Sequence, residues 1–414
     1  MRDEPFCLTG AMRHEFARSE PVPIVAGPPS ITRATIAVDG IGDRAIARLS
    51  VVVDLDHSWR GDLALRLRSP RGTRIVLARR RGGRAGLFCG TIFDTAAPLA
   101  ICDAVPPFSG SFRPRGDLAN LHGSPAAGEW ALEVEDADFH EAGAIRSWGL
   151  TLDTTAPEEP AFVVDVRFKG GLTSAQQAAF QTAAARWSRI ISADVPSVIV
   201  DGETVDDIVI DASGTPIDGP LGILGQSGPT RLRPGSYIPA AGLMEFDTAD
   251  LAMMEDDGSL VNVITHEMGH VLGFGTNWDE LGLRQGAGTV NPTFTGPNAM
   301  RGFATLSGGS ATRAVPLANV GGPGTRDSHW RESVFGNELM TGFLNESRNP
   351  LSRLTIAALQ DMGYEVSYAS ADRYVLPGAL ELALLGVGVV LGDHGGRGIV
   401  LTPPKRVLPE SALV

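Results

Sequence analysis

Five residues, His266-Glu267-Met268-Gly269-His270, constrain this chain more than any other stretch. Two histidines four positions apart can reach one ion only if the backbone between them is helical, because a helix stacks residues i and i+4 on one face. A helix is therefore dictated here, and the surrounding fold must bring a further ligand to that face. Glu267, directly after the first histidine, is placed to polarise a zinc-bound water and carry its proton. The flanks agree with this reading. Asp257 and Ser259 are candidate N-caps, the run from Leu260 to Leu272 is largely apolar and free of proline, and Gly273 can end the helix. Buried imidazoles facing one way need a partner, and a metal is the obvious one.

The third ligand decides the subclass. In the extended pattern HExxHxxGxxH the glycine is present as Gly273, but Thr276 stands where the third histidine would be. Zinc held by two protein ligands alone would be an unusual site. Downstream of His270 the chain offers only His329 and His394. His329 lies in Asp327-Ser328-His329-Trp330, and Glu338-Leu339-Met340-Thr341-Gly342 follows. A methionine in a tight turn shortly after the last histidine is the Met-turn of metzincins, a soft apolar floor beneath the metal. His394 stands among glycines with no such sequel, so His329 is the expected third ligand.

The run HEMGHVLGFGTNW, a long insertion and then HWRESVFGNELMTG together resemble the leishmanolysin-like zinc metalloendopeptidases, from about Phe162 to Tyr364. In that family an inserted segment separates the glycine from the third histidine. The resemblance implies His266, His270 and His329 as zinc ligands, Glu267 as catalytic base and Met340 as the Met-turn. It also implies an α+β metzincin-like domain acting on protein or peptide substrates. Leishmanolysin is disulfide-rich, whereas this region contains no cysteine, which points to a slimmer relative of bacterial type.

The first part of the chain follows another pattern. Apolar alternation with period two recurs at Ala45 to Leu55, Asp62 to Leu67, Arg74 to Leu77, Trp130 to Val134 and Ser147 to Leu152, with glycine and proline turns between. That is the signature of an all-β sandwich. Trp59-Arg60-Gly61-Asp62-Leu63, Ser69-Pro70-Arg71-Gly72-Thr73, Gly128-Glu129-Trp130-Ala131-Leu132 and Gly143-Ala144-Ile145-Arg146-Ser147-Trp148 resemble the P domain of proprotein convertases, over about Ile36 to Leu152. The resemblance implies a jelly-roll-like accessory module. Asp54, Asp56 and Asp62 near one strand pair, and Asp136, Asp138 and Glu141 near another, could bind calcium or could serve turns on a solvated acidic edge. Arg79-Arg80-Arg81 and Arg84 read as a basic hairpin tip.

The expected organisation is multidomain: an N-terminal segment, residues 1–33, that could be flexible; a P-domain-like sandwich over 34–154; a linker over 155–160; a protease domain over 161–368; and a tail, 369–414, packing on the protease. The protease is expected to open with a strand at Phe162 to Phe168 and a helix from Ser174 to Ile191, capped by Thr173 or Ser174. An acidic strand region follows at Asp206 to Asp211. Gly242 to Asp247 alternates like an edge strand, and by resemblance to metzincins such an edge could hold an extended peptide, with plain sheet packing the alternative. The insertion, Gly275 to Ser328, shows little periodicity and reads as a long loop walling a cleft. A closing helix is predicted from Ser352 to Met362.

A net charge of −13 argues against nucleic-acid partners. The apolar run Leu376 to Leu391 is broken by Pro377 and Glu381, so no membrane span is expected. Residues Met1 to Val22 show no signal-peptide pattern, although the family resemblance implies secretion or surface exposure. Of the three cysteines, Cys89 and Cys102 could pair, and Cys7 could cap a zinc in a latent form. Composition leaves oligomeric state open. The competing reading is a surface binding or adhesion protein with a latent or structural zinc site.

Overall fold

The structure, a computed structural model, describes residues 11–27, 30–57, 63–79, 88–137, 143–156, 160–217, 219, 225–322, 324–342, 349–378, 382 and 404–414. The chain divides into two compact units, Met1–Glu159 and Pro160–Val414.

The first unit is all β. Its strands are β1 (Met12–Arg18), β2 (Val22–Pro23), β3 (Ile31–Val38), β4 (Ala45–His57), β5 (Leu63–Arg68), β6 (Arg74–Arg79), β7 (Phe88–Phe93), β8 (Phe108–Phe112), β9 (Gly128–Asp136) and β10 (Gly143–Thr155). One sheet runs β1-β10-β4-β7-β8, with β2 also on β10, and the other runs β3-β9-β5-β6. Strand β4 shows why they pack. Leu49, Val51, Val53 and Leu55 are buried, while Arg48, Val52 and Asp56 between them face solvent. Those leucines and valines share one core with Leu65, Leu67, Leu132 and Val134 of the other sheet, and with the buried rings of Trp130 and Trp148.

Strands already form among the described residues before position 34. Strand β1 pairs in antiparallel register with β10, from Met12↔Thr154 to Arg18↔Trp148, and Ile31 already pairs with Glu135. The sequence does not announce β1, because the alternation of this edge strand is muted by polar residues on its exposed face. The linker also begins later than expected, since β10 runs to Thr155.

The second unit mixes a sheet with helices. After β11 (Val164–Gly170) come α1 (Ser174–Ile190), β12 (Val198–Val200), β13 (Glu203–Val205), β14 (Ile208–Thr215), β15 (Gly225–Leu232), β16 (Pro239–Asp247), α2 (Thr248–Asp257) and α3 (Leu260–Val271). Helix α1 starts with a complete capping box, Thr173 accepting from the Gln176 N–H and the Gln176 side chain accepting from the Thr173 N–H. Further on lie β17 (Arg284–Gln285), β18 (Thr293–Phe294), α4 (Pro297–Leu306), β19 (Val315–Pro316), α5 (Glu332–Phe335), α6 (Arg353–Asp361) and β20 (Arg406–Val407).

The main sheet has the order β11-β14-β16-β15-β20. Strands β11, β14 and β16 are parallel, and β15 runs antiparallel to β16. Gly242 to Asp247 is therefore not an edge. It lies inside β16, bonded on both sides, and its alternation coexists with near-complete burial, as expected for a central strand. The outer strand is β15. The short β20 pairs only with Arg231 and Leu232, so among the described residues no strand lies beyond Gly225 to Thr230.

The insertion is not a structureless loop. Strands β17, β18 and β19 form a small sheet, and helix α4 packs beside it. Phe274, Trp278, Phe294 and Trp330 are fully buried against one another, with ring centroids 4.7 to 5.7 Å apart. A few dispersed aromatics bury this segment, and no periodic stripe announces them. The described tail returns to the same unit. Leu408 and Ala412 are buried with Val198, Val200, Val209 and Ala240, and Lys405 pairs with Glu280 at 2.7 Å. His394, Cys7, Arg80, Arg81, Arg84 and most of Leu376 to Leu391 lie outside the described residues.

Candidate metal centre

Helix α3 forms where the motif demands it. Asp257 accepts from the Ser259 N–H at 2.8 Å, and the helix then runs apolar and wholly buried. Ser259 occupies the N-cap position without a side-chain cap bond. At the other end Gly273 takes φ +102°, a conformation that L side chains rarely adopt, and the chain turns away. Thr276, in the slot of the missing histidine, donates its hydroxyl to the His270 carbonyl at 2.8 Å and so finishes the helix end.

The three predicted histidines meet. His266 Nε2 lies 3.0 Å from His270 Nε2, and His329 Nε2 is 2.9 Å from each. All three side chains are buried. The opposite ring nitrogens settle the tautomers. Nδ1 of His266 faces the Leu339 carbonyl at 2.6 Å, that of His270 the Phe274 carbonyl at 2.8 Å, and that of His329 the Thr325 carbonyl at 2.9 Å. A carbonyl only accepts, so each Nδ1 carries the proton and each Nε2 turns a lone pair inward. Three converging lone pairs repel unless a cation lies among them. Burial above all pushes His266 down to about 3 and His270 to about 4, and it holds His329 well below the ordinary histidine value. The rings are thus neutral near pH 7, as ligation requires. A neutral trio of imidazoles fits zinc, whose bonds to histidine nitrogen are about 2.0–2.1 Å.

Glu267 is also buried, and burial pushes its carboxyl up to about 8 against a lowering hydrogen bond from Ser227. Its Oε1 stands 3.9 Å from His266 Nε2. Met340 lies fully buried under the helix, and Gly269 makes room for it: a Cβ there would stand 3.0 Å from Met340 Cε and 3.1 Å from Trp187. The turn carrying Met340 is anchored by the buried Glu338 carboxylate. It accepts from the Met340 N–H at 2.6 Å, the Ser352 N–H at 3.0 Å, and the hydroxyls of Ser352 and Thr355 at 2.6 Å each. Since Leu339 O holds His266, Glu338 braces a ligand through the backbone. Sequence reading quoted Glu338 only as part of the turn and passed over Ser227 altogether, because neither belongs to a periodic or spaced pattern.

The calcium expectation gains nothing from the described residues. Asp136 is fully buried and engaged by His57 Nε2 at 3.1 Å, whereas Asp56 lies on the other sheet and pairs with Arg146 at 2.7 Å. Asp54 joins no ligand cluster among them, and Asp62, Asp138 and Glu141 lie outside. Asp136 and Asp56 are thus each engaged by a protein partner, and no cluster of calcium-type ligands stands out around them among the described residues. No disulfide joins Cys89 to Cys102, so the pairing that sequence allowed is not made. A second acidic cluster, Asp194, Asp206 and Asp207, brings carboxylate oxygens within 4.8 Å of one another.

Comparison with known proteins gives matches in both units. Residues 46–152 match the proprotein convertase P-domain, and residues 192–382 match leishmanolysin. A leishmanolysin homolog of Crithidia fasciculata is 29% identical over 143 residues, 32% of this chain and 21% of that protein. Leupeptin-inactivating enzyme 1 of Streptomyces exfoliatus is 28% identical over 136 residues, 33% of this chain and 25% of that one. The chain thus spans about a quarter or less of these relatives. A solved serine protease of Aeromonas sobria aligns over 34% of this chain and 27% of its own at 18% identity, with a TM-score of 0.22, a likeness too slight to bear on the site.

Proposed function

We infer, for what is a leishmanolysin-like protease region joined to a proprotein-convertase-type P-domain, that the chain is a zinc metalloendopeptidase. The observation that carries this reading is the convergence of three neutral histidine Nε2 atoms at 2.9 to 3.0 Å beside a buried glutamate that is not one of them. On this reading the second unit is a metzincin-like domain and the first a jelly-roll-like accessory module that stabilises or targets it. His266, His270 and His329 hold zinc, which supplies Lewis acidity to a water and to the scissile carbonyl. A divalent cation beside it would bring the raised Glu267 carboxyl back down, so that Glu267, ionised, takes the attacking water's proton on Oε1 and returns it to the leaving amine. Met340 shapes the floor without bonding the metal.

An extended peptide pairs through its main chain with β15 at Gly225 to Thr230, beyond which no described strand lies. The relatives' names, a leishmanolysin homolog and a leupeptin-inactivating enzyme, support peptide substrates, and secretion or surface exposure is carried over from the family resemblance alone. Among the described residues no helix is long and apolar enough to cross a membrane. A purely structural zinc site, as in an adhesion protein, is disfavoured by the ligand set. Such sites are closed by four protein ligands, and the described cluster has three. Elemental analysis combined with casein cleavage tests the proposal. One zinc per chain, with turnover lost in Glu267→Gln but zinc retained, is expected. Near-normal cleavage by Glu267→Gln would remove the assigned base.

A further inference from the structure

We propose that Ser227 is a positioning residue for Glu267, holding one carboxylate oxygen so that the other faces the histidine cluster. This rests on the reading of Glu267 as the base. The Ser227 hydroxyl donates to Glu267 Oε2 at 2.7 Å, and both side chains are buried. Among the described residues it is the hydrogen bond that this carboxylate makes. The remaining oxygen, Oε1, is the one 3.9 Å from His266 Nε2. The two oxygens are therefore not equivalent: one is tied to strand β15, the other is left for the reacting water.

A glutamate carries three rotatable side-chain bonds, and the helix fixes only where they start. A hydroxyl from a neighbouring strand removes the last freedom without adding charge. Ser227 is itself held firmly. It pairs with Met244 in register with β16, and the flanking Gly225 approaches so closely that a Cβ there would stand 1.9 Å from the Glu245 carbonyl oxygen. The strand with the open edge is thus also the strand that aims the base, so a peptide lying on β15 meets a carboxylate already oriented.

The test uses the full zinc-loaded chain as wild type, Ser227→Ala, Ser227→Thr and Glu267→Gln. Ser227→Ala is expected to keep its zinc and its melting temperature, with kcat for a peptide substrate down about tenfold at unchanged KM. Ser227→Thr, which retains the hydroxyl, should recover most of that loss. Wild-type kcat in Ser227→Ala, a loss confined to KM, or an equal loss in a folded, zinc-loaded Ser227→Thr would each overturn the proposal. If Glu267→Gln is inactive while Ser227→Ala is unchanged, only the positioning role falls; if Glu267→Gln is active, the base assignment falls with it. Calorimetry reads the same role without turnover. A small hydroxamate, which gives its hydroxyl proton to the carboxylate as it ligates zinc, should bind Ser227→Ala about tenfold more weakly than wild type. Azide, which needs no base, should bind both alike. Equal hydroxamate affinity would overturn the assignment.

Discussion

Replacing Glu338 with glutamine should weaken zinc binding at a residue that never touches the metal. Four hydrogen bonds converge on this fully buried carboxylate, from the Met340 and Ser352 N–H groups and the Ser352 and Thr355 hydroxyls. Glutamine keeps the size but exchanges one acceptor for a donor. The better orientation leaves its oxygen toward Ser352 and Thr355 and sets its amide against the Met340 N–H, donor to donor. One bond to a charged acceptor is lost, worth about 1.5–3 kcal/mol, and the stranded N–H costs about 1–3 kcal/mol more. Removing a buried charge, which burial already pushes toward its protonated form, returns part of this. A net loss of about 2–3 kcal/mol in folding stability is expected. Because Leu339 sits between Glu338 and Met340, and its carbonyl fixes His266, zinc affinity should fall about 10- to 100-fold. Chelator competition measures the affinity and urea unfolding the stability. Ser352→Ala, which leaves the Met340 bond intact, should spare the affinity. Zinc affinity within twofold of wild type in Glu338→Gln would refute the bracing argument even if stability dropped.

In the metal-free protein the three histidines should withdraw stability as the pH falls below 6.5. His266 and His270 sit at about 3 and 4 and His329 well below 6.5, so the unfolded chain binds three more protons as the pH falls under 6.5. Glu267, raised to about 8 from 4.5, has the opposite sign: its contribution is complete below 4.5 and is lost as the pH rises through 8. Between 4.5 and 6.5 the three histidines withdraw stability on acidification, and the raised carboxyls of Glu267, Asp207 and Glu338 oppose them. Urea unfolding of chelator-treated wild type and His266→Gln from pH 4 to 8 isolates one ring, and parallel profiles below pH 6.5 would mean that it is not held neutral. In the first unit, Glu133 is fully buried. Burial alone would raise its carboxyl, but the guanidiniums of Arg33 and Arg74, 2.9 Å away, more than offset this and lower it. That stability is present above about pH 4.5 and lost as the pH falls through the lowered value. Glu133→Gln should therefore cost about 1–2 kcal/mol at pH 7, with the gap from wild type closing in acid; an equal gap at both pH values would discount the ion pairs.

Local signals were legible wherever a single element decides the outcome. The helix bearing His266, Glu267 and His270 follows from a spacing of four and an apolar run, and it stands as α3. The capping box of α1 and the alternation of β4 were equally local. His329 could be singled out because the Met340 turn follows it and few other histidines compete. What sequence could not decide was pairing across the chain. Whether a strand is central or outermost depends on neighbours, so β16 alternates like an edge yet lies between β14 and β15. The engagement of Asp136 by His57 and of Asp56 by Arg146 likewise joins residues 79 and 90 positions apart. Ser227 is 40 residues from Glu267, and Glu338 reaches His266 only through the Leu339 carbonyl. In short, the chain's own periodicity determined the helix, the motif and the chemical identity of the expected ligands. Tertiary structure alone decided which oxygen of Glu267 is tethered and which strands are central among the described ones, because contacts over tens of residues obey packing and register rather than spacing.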